Sequence, residues 1–177
     1  MTTTKWALDP THSEINFKVK HMMISNVTGG FNKFDVSAET EGENFDNPKI
    51  SFTADVNSVD TKNEQRDGHL KSPDFFDMEK FPQIKFEGTE YKKIDNENHQ
   101  LNGNLTIKDV TKPVSLHIDF GGIAKDPYGN VKAGFTINGK INRKDFGLNW
   151  NAALEAGGVL VGEDLKIQSE IQLVKQA

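Results

Sequence analysis

The chain of 177 residues has no cysteine, which excludes disulfides and thiolate metal sites and leaves the redox compartment open. It also has no apolar run near the ~20 residues that a membrane-spanning helix needs. Its first residues, Met-Thr-Thr-Thr-Lys-Trp-Ala-Leu-Asp, hold no apolar core of the kind a secretory signal carries. The expectation is a cytoplasmic protein, or a periplasmic one if the numbered chain is a processed form. A basic excess is missing too. With 21 basic and 26 acidic residues the formal net charge is −5, which argues against a nucleic-acid partner. Nucleophile elbows of the Gly-x-Ser-x-Gly type, Gly-x-Gly-x-x-Gly turns and P-loops are absent. The histidines at 12, 21, 69, 99 and 117 show neither His-x-His nor His-Glu-x-x-His spacing, so no metal is expected.

What the chain has in quantity is alternation. Ile50, Phe52, Ala54 and Val56 are interleaved with Ser51, Thr53 and Asp55. The same period of two runs through 101–107, 114–120, 131–141 and 165–173. Such segments form strands with one wet and one dry face. Many strands and few helices leave a sandwich or a closed barrel, and about eight strands enclose room for one small ligand. Ala54, Gly88, Gly103, Ala133, Gly139 and Ser169 take the dry parity, which favours a barrel whose lumen stays open. No repeat or linker is visible, so residues 1–177 read as one domain. One stretch breaks the pattern. Thr61 with Glu64 resembles a capping box opening a short helix through Leu70. Ser72-Pro73 looks like a second helix start, and Leu70, Phe75, Phe76, Met78 and Phe81 make the 61–81 insert a helical plug, or else a mobile lid, over one barrel end.

Among the polar residues, His99 and His117 read as solvated, while His21 shares the parity of Phe17 and Val19 and points inward. An inward histidine is either a hydrogen-bonded core residue or a contact for a polar head group. Arg66 and His69 lie three apart on one helical face. They either hold an anionic or phenolic oxygen or, with Asp67, fasten the insert. Arg143, in the run Arg143-Lys144-Asp145-Phe146-Gly147-Leu148 that closes a strand, reads either as part of a turn-stabilising ion pair or as a ligand contact.

Four segments together resemble the YceI family of lipid-binding proteins. They are Asp9-Pro-Thr-His-Ser-Glu-Ile-Asn-Phe-Lys-Val-Lys-His-Met-Met23, Arg66-Asp-Gly-His-Leu-Lys-Ser-Pro-Asp-Phe-Phe76 with Phe81-Pro82, Leu105-Thr-Ile-Lys-Asp-Val-Thr-Lys-Pro113, and Asn142-Arg-Lys-Asp-Phe-Gly147. The resemblance implies an all-β, eight-stranded, extended lipocalin-like antiparallel barrel. It further implies that this barrel binds a polyisoprenoid, isoprenoid quinone or fatty acid-like amphiphile without catalysis, without a cofactor and commonly as a homodimer. No stable membrane insertion is expected.

By parity the expected lumen lining is Phe17, Val19 and Met23 from the first long segment, and Phe52 and Phe86 from the next two. Leu105, Leu116, Phe135 and Ile137 continue it, and Phe146, Leu148 and Trp150 complete it. His21, Arg66, His69 and Arg143 are the expected head-group contacts. Two alternatives stand beside the carrier. One is an enzyme using His21 as base in the same cavity; the other is an interaction domain with a filled core.

Overall fold

A computed structural model describes residues 3–42, 45, 47–151 and 161–176. Its strands are β1 (Thr3–Leu8), β2 (Glu14–His21), β3 (Ser25–Phe31), β4 (Phe34–Glu41), β5 (Lys49–Asp55), β6 (Val59–Asp60) and β7 (Gln83–Lys93). They are followed by β8 (Asn98–Ile107), β9 (Val110–Lys125), β10 (Val131–Asn142) and β11 (Val161–Lys175), with one α-helix, α1 (Glu64–Lys71), between β6 and β7. All pairings are antiparallel. The order β1-β4-β5-β7-β8-β9-β10-β11 closes by a β1–β11 pairing into an eight-strand barrel.

The other three strands lengthen three of those eight staves. β1 and β2 lie end to end along β11, with Leu8 opposite Leu173, Glu14 opposite Glu170 and Val19 opposite Leu165. In the same way β3 continues β4 and β6 continues β5, because β2 pairs β3 and β3 pairs β6. The breaks fall where the chain carries turn chemistry. Asp9-Pro10 opens a single 3₁₀ turn, and Asp9 accepts hydrogen bonds from the Thr11 amide (3.2 Å), from Lys132 Nζ (2.7 Å) and from His12 Nδ1 (2.8 Å). The Lys132 ammonium, aided by His12 and Thr11, holds the Asp9 carboxyl well below the usual carboxylate range. The Asp-Pro-Thr-His run is therefore a fastening between the first stave and β10.

Long staves bend at bulges. Gly121 is the extra residue where Gly134–Gly122 and Phe135–Phe120 pairings meet, and Gly122 has φ +106°, which a side chain disfavours. The turn Asp126-Pro-Tyr-Gly129 follows the type I pattern, with the Gly129 amide donating to the Asp126 carbonyl (3.1 Å) and Asp126 Oδ1 receiving two further amides.

Three local expectations are corrected. The cap of α1 is Asn63, whose side chain accepts from the Arg66 amide (3.1 Å), one residue before the helix; Thr61 stays on the barrel side. No second helix starts at Ser72. Its hydroxyl accepts from the Asp74 amide and the chain runs through turns to Pro82, because α1 has already ended on Ser72 as its C-cap. His99, read as solvated, is 5% exposed: it begins β8 on the inward parity, stacked on Tyr91 (4.9 Å between ring centroids).

Most of the small inward residues do not keep a lumen open. A Cβ at Gly103 would collide with the Phe86 ring and the Glu87 carbonyl oxygen, and one at Gly139 would collide with Leu116. These glycines make room for neighbouring large side chains lying across them, as aromatic residues do over strand glycines. Ala133 is fully enclosed in the aromatic end of the barrel.

That end is a plug. Trp6 meets Phe45 edge-on (5.2 Å), Phe45 meets Phe135 (4.8 Å), and Phe135 stacks on Phe120 (5.2 Å), which in turn meets His99 (6.0 Å). The buried Trp6 indole donates to Thr40 Oγ1 (3.0 Å), so its polar atom is satisfied inside the plug.

Candidate ligand-binding site

The opposite half of the barrel is hollow. Its cavity measures about 610 Å³, within the ~300–1,000 Å³ of ordinary small-molecule sites. Every stave contributes to the wall through the inward parity of its strand: Phe17 and Val19 from β2, Val36 from β4, Phe52 from β5, Phe86 from β7, Leu105 from β8, Leu116 from β9, Ile137 from β10 and Ile167 from β11. Several of these side chains are only half-buried in a protein whose core residues otherwise fall below a tenth exposed. Their remaining surface faces the cavity.

Of the twelve residues expected on the lining, nine line the cavity. Met23, Phe135 and Phe146 do not. Met23 is turned outward at a hairpin tip, 56% exposed, because the strand alternation stops at His21. Phe135 belongs to the aromatic plug. Phe146, 2% exposed, is buried in the 3₁₀ turn Arg143–Phe146, where strand parity no longer applies. Ile15, Ile84, Ile107 and Ile141, absent from the expected lining although they have the inward parity of their strands, also line the cavity.

Apart from Asn16 and Ser169, the polar lining residues gather at one end, where β2 finishes, β11 begins and α1 sits. His21, Arg66, His69 and Arg143 are all there, together with Asn63 and Gln65 of the α1 start, which alternation had no means of flagging. Their local bonding differs sharply. Arg143 is 2% exposed and donates from Nε to Gly162 O (2.7 Å), from Nη1 to Leu148 O and Trp150 O, and from Nη2 to Val161 O (3.2 Å). Four of the five N–H groups of the guanidinium are thus spent on backbone carbonyls. Burial pulls this guanidinium below its ordinary value, with Glu163 opposing the shift. Asn151 adds two bonds to the Val161 backbone, so the segments leaving Trp150 and arriving at Val161 are tied together.

Arg66 donates from Nε to Thr61 Oγ1 (2.8 Å) and from Nη2 to Thr61 O (2.7 Å), while the Thr61 hydroxyl donates to Asp67 Oδ1 (2.5 Å). The pair does fasten α1 to the end of β6, and three N–H groups of Arg66 stay available. His69 Nε2 is 2.8 Å from Asp74 Oδ2, with its ring edge-on to Trp150 (4.6 Å) and Phe75 (5.1 Å). The His21 imidazole has no hydrogen-bond partner among the described residues. Among those residues no group of three or more His, Asp or Glu is arranged to hold a metal ion.

The arrangement defines an antiparallel β-barrel closed by aromatics at one end and hollow and largely apolar along the other half, with its charged side chains and histidines collected at the mouth. Residues 6–173 match the family model of the YceI-like domain, and the chain belongs to that family. It is 40% identical over 170 residues to a UPF0312 protein of Staphylococcus aureus strain N315, covering 96% of each chain. Among solved structures it is similar to the Campylobacter jejuni YCEI protein, with 35% identity, a TM-score of 0.77 and coverage of 96% of this chain and 97% of that one. At the level of fold alone it resembles a polyisoprenoid-binding domain from Saccharophagus degradans (13% identity, TM-score 0.69, coverage 97% and 98%). No helix among the described residues is long and apolar enough to cross a membrane.

Proposed function

We propose that the chain binds one long-chain amphiphile, a polyisoprenoid, isoprenoid quinone or fatty acid-like lipid, with its tail in the cavity and its head at the polar mouth, and performs no chemistry on it. The observation that carries this reading is the gathering of the cationic side chains and histidines, Lys20, His21, Arg66, His69 and Arg143, at one end of a cavity whose remaining walls are apolar apart from Asn16 and Ser169. The polyisoprenoid-binding neighbour supports the choice of cargo class.

The energetics favour a long tail. Each buried methylene contributes ~0.8 kcal/mol, so ten of them gain roughly 8 kcal/mol, comparable with the ~4–15 kcal/mol cost of association and ordering. Short amphiphiles therefore bind weakly, and affinity rises with chain length until the cavity is filled. An enzyme using His21 as a base needs a second group to orient the imidazole, and no described residue bonds to it.

The test is organic extraction and native mass spectrometry of freshly purified protein, followed by titration of the delipidated protein with fluorescent fatty probes of increasing length. A co-purified amphiphile and a length-dependent affinity are expected. Blank extracts together with no probe binding at micromolar concentration refute the carrier.

A further inference from the structure

The hairpin joining β2 to β3 ends in Met22, Met23 and Ile24, which are 45%, 56% and 83% exposed. Its turn is closed by a bond from the Ile24 amide to the His21 carbonyl (3.3 Å), with φ +54° at Met22 and +62° at Met23. Those are the central positions of a type I′ turn, where Asn-Gly is the usual pair. A side chain at such a φ costs stability. The chain here bears that cost twice and uses the turn to hold three large apolar groups in water.

The position of the tip matters as much as its composition. His21, the residue before it, lines the polar end of the cavity, as do Val19 and Val27 on the two strands leading to it. The surrounding charge is of one sign. From residue 15 to residue 34 the chain has no carboxylate, in a protein of net charge −5; Lys18 and Lys20 lie on the strand leading to the tip, whereas Lys33, past the far end of β3, pairs with Asp55 (3.6 Å). The neighbouring acids on β11, Glu163 and Asp164, are paired with Lys144 (2.8 Å) and Lys140 (3.2 Å). By contrast the exposed Ile94 stands alone in the acidic turn Ile94-Asp-Asn-Glu-Asn98.

We propose that Met22, Met23 and Ile24 are a membrane-contact tip: they enter the interface of an anionic bilayer, Lys18 and Lys20 sit against its head groups, and the cavity mouth is held on the surface so that cargo passes between bilayer and barrel without crossing water. Apolar side chains beside basic ones are the combination that binds anionic interfaces. The proposal rests on the carrier reading for what is passed, but vesicle attachment itself does not need cargo.

The test is co-sedimentation of the delipidated protein with phosphatidylcholine vesicles, with and without phosphatidylglycerol, for the wild type, Ile24→Asp, Lys18→Gln with Lys20→Gln, and Ile94→Asp as control. The wild type is expected to partition onto the anionic vesicles. Ile24→Asp should lower that partition about tenfold or more, from the lost burial of one large side chain. Each lysine removed should lower it about fivefold, and Ile94→Asp should leave it unchanged. Binding of a soluble fatty probe by Ile24→Asp should match the wild type, while transfer of that probe out of anionic vesicles should slow. A wild type that ignores both vesicles, or Ile24→Asp partitioning as the wild type does, overturns the proposal. So does self-association in buffer that Ile24→Asp abolishes without any vesicle response, since the tip would then be a contact between copies. Failure of the wild type to bind any probe refutes the carrier reading instead, whatever the vesicles show.

Discussion

Filling the cavity from its wall should abolish cargo binding while the barrel survives. Val19 on β2 and Val114 on β9 both line the cavity and are both half-buried, so part of each side chain already faces open space. Replacing either by Phe adds four carbons to the wall. If each displaces one methylene of tail at ~0.8 kcal/mol, the loss is ~3 kcal/mol, or about two orders of magnitude in Kd. The stability cost is bounded by the ~1–3 kcal/mol of overpacking a filled core, and is smaller where the ring enters empty space. The assay is displacement of a fluorescent fatty probe, with circular dichroism and a thermal melt to establish folding. Gly103→Phe is the informative contrast. Its first side-chain carbon would collide with the Phe86 ring and the Glu87 carbonyl oxygen, so it should unfold the barrel before it fills anything. Folded Val19→Phe and Val114→Phe proteins that bind the probe with wild-type affinity would refute the assignment of this cavity as the binding site.

Arg143→Lys should lower stability by ~3–5 kcal/mol, because an ammonium cannot serve four carbonyls fixed by a planar fork, and a denaturant titration reads the loss. Asp9→Asn should destabilise at neutral pH by ~1–3 kcal/mol by removing the nearer of the two carboxylates of Lys132, Asp9 at 2.7 Å, and leaving only Asp126 at 3.7 Å. The Asp9 carboxyl is depressed in the folded state, so its contribution is complete above the ordinary carboxylate value near 4 and is lost progressively as the pH falls from there toward the far lower folded-state value. The gap between the melting curves of the wild type and the Asp9→Asn variant should therefore close on acidification, and a gap that persists in acid contradicts the ion pair. Arg66→Gln should reduce preference for a prenyl phosphate over the prenyl alcohol by about tenfold, measured by competition, since the head loses a charged donor worth ~1.5–3 kcal/mol. His21→Phe should leave tail affinity intact and shift only that preference. Unchanged selectivity in both assigns them to structure.

Strand parity made the barrel legible because a dry inner face and a wet outer face leave a period-two record in every stave. It could not show that eleven strands make eight staves. Asp9-Pro10, Asn32-Lys33 and Val56-Asn57-Ser58 interrupt the strands, yet each joins two collinear strands along one stave. Whether a turn reverses the chain or merely kinks it depends on what lies alongside, here the 15-residue β11, and that is a tertiary fact. Parity fails for the same reason where strands stop. Alternation misplaces Phe146 and Met23 because they sit in a 3₁₀ turn and at a hairpin tip, where successive side chains no longer point to opposite faces.

Within the strands, parity separates inside from outside but cannot say how far along the inside a residue lies. Phe135 and Ile137 are two residues apart on one face of β10, yet one belongs to the aromatic plug and the other to the cavity wall. The boundary is set by Phe45, which comes from a connection between strands and meets Trp6 and Phe135 across the barrel. Small inward residues were ambiguous in the same way. Gly139 and Gly103 could have meant space for a ligand, and the register shows that the space is taken by Leu116 and Phe86. Polar residues were the least legible, because their role depends on which donors remain after the protein has used its own. Arg143 and Arg66 carry the same guanidinium on the same cavity, but four N–H groups of the first are bound to carbonyls and only two of the second are engaged. That difference in unspent donors makes Arg66 the head-group candidate and Arg143 the fastening, and it exists only once Leu148, Trp150, Val161 and Gly162 have been folded around one side chain.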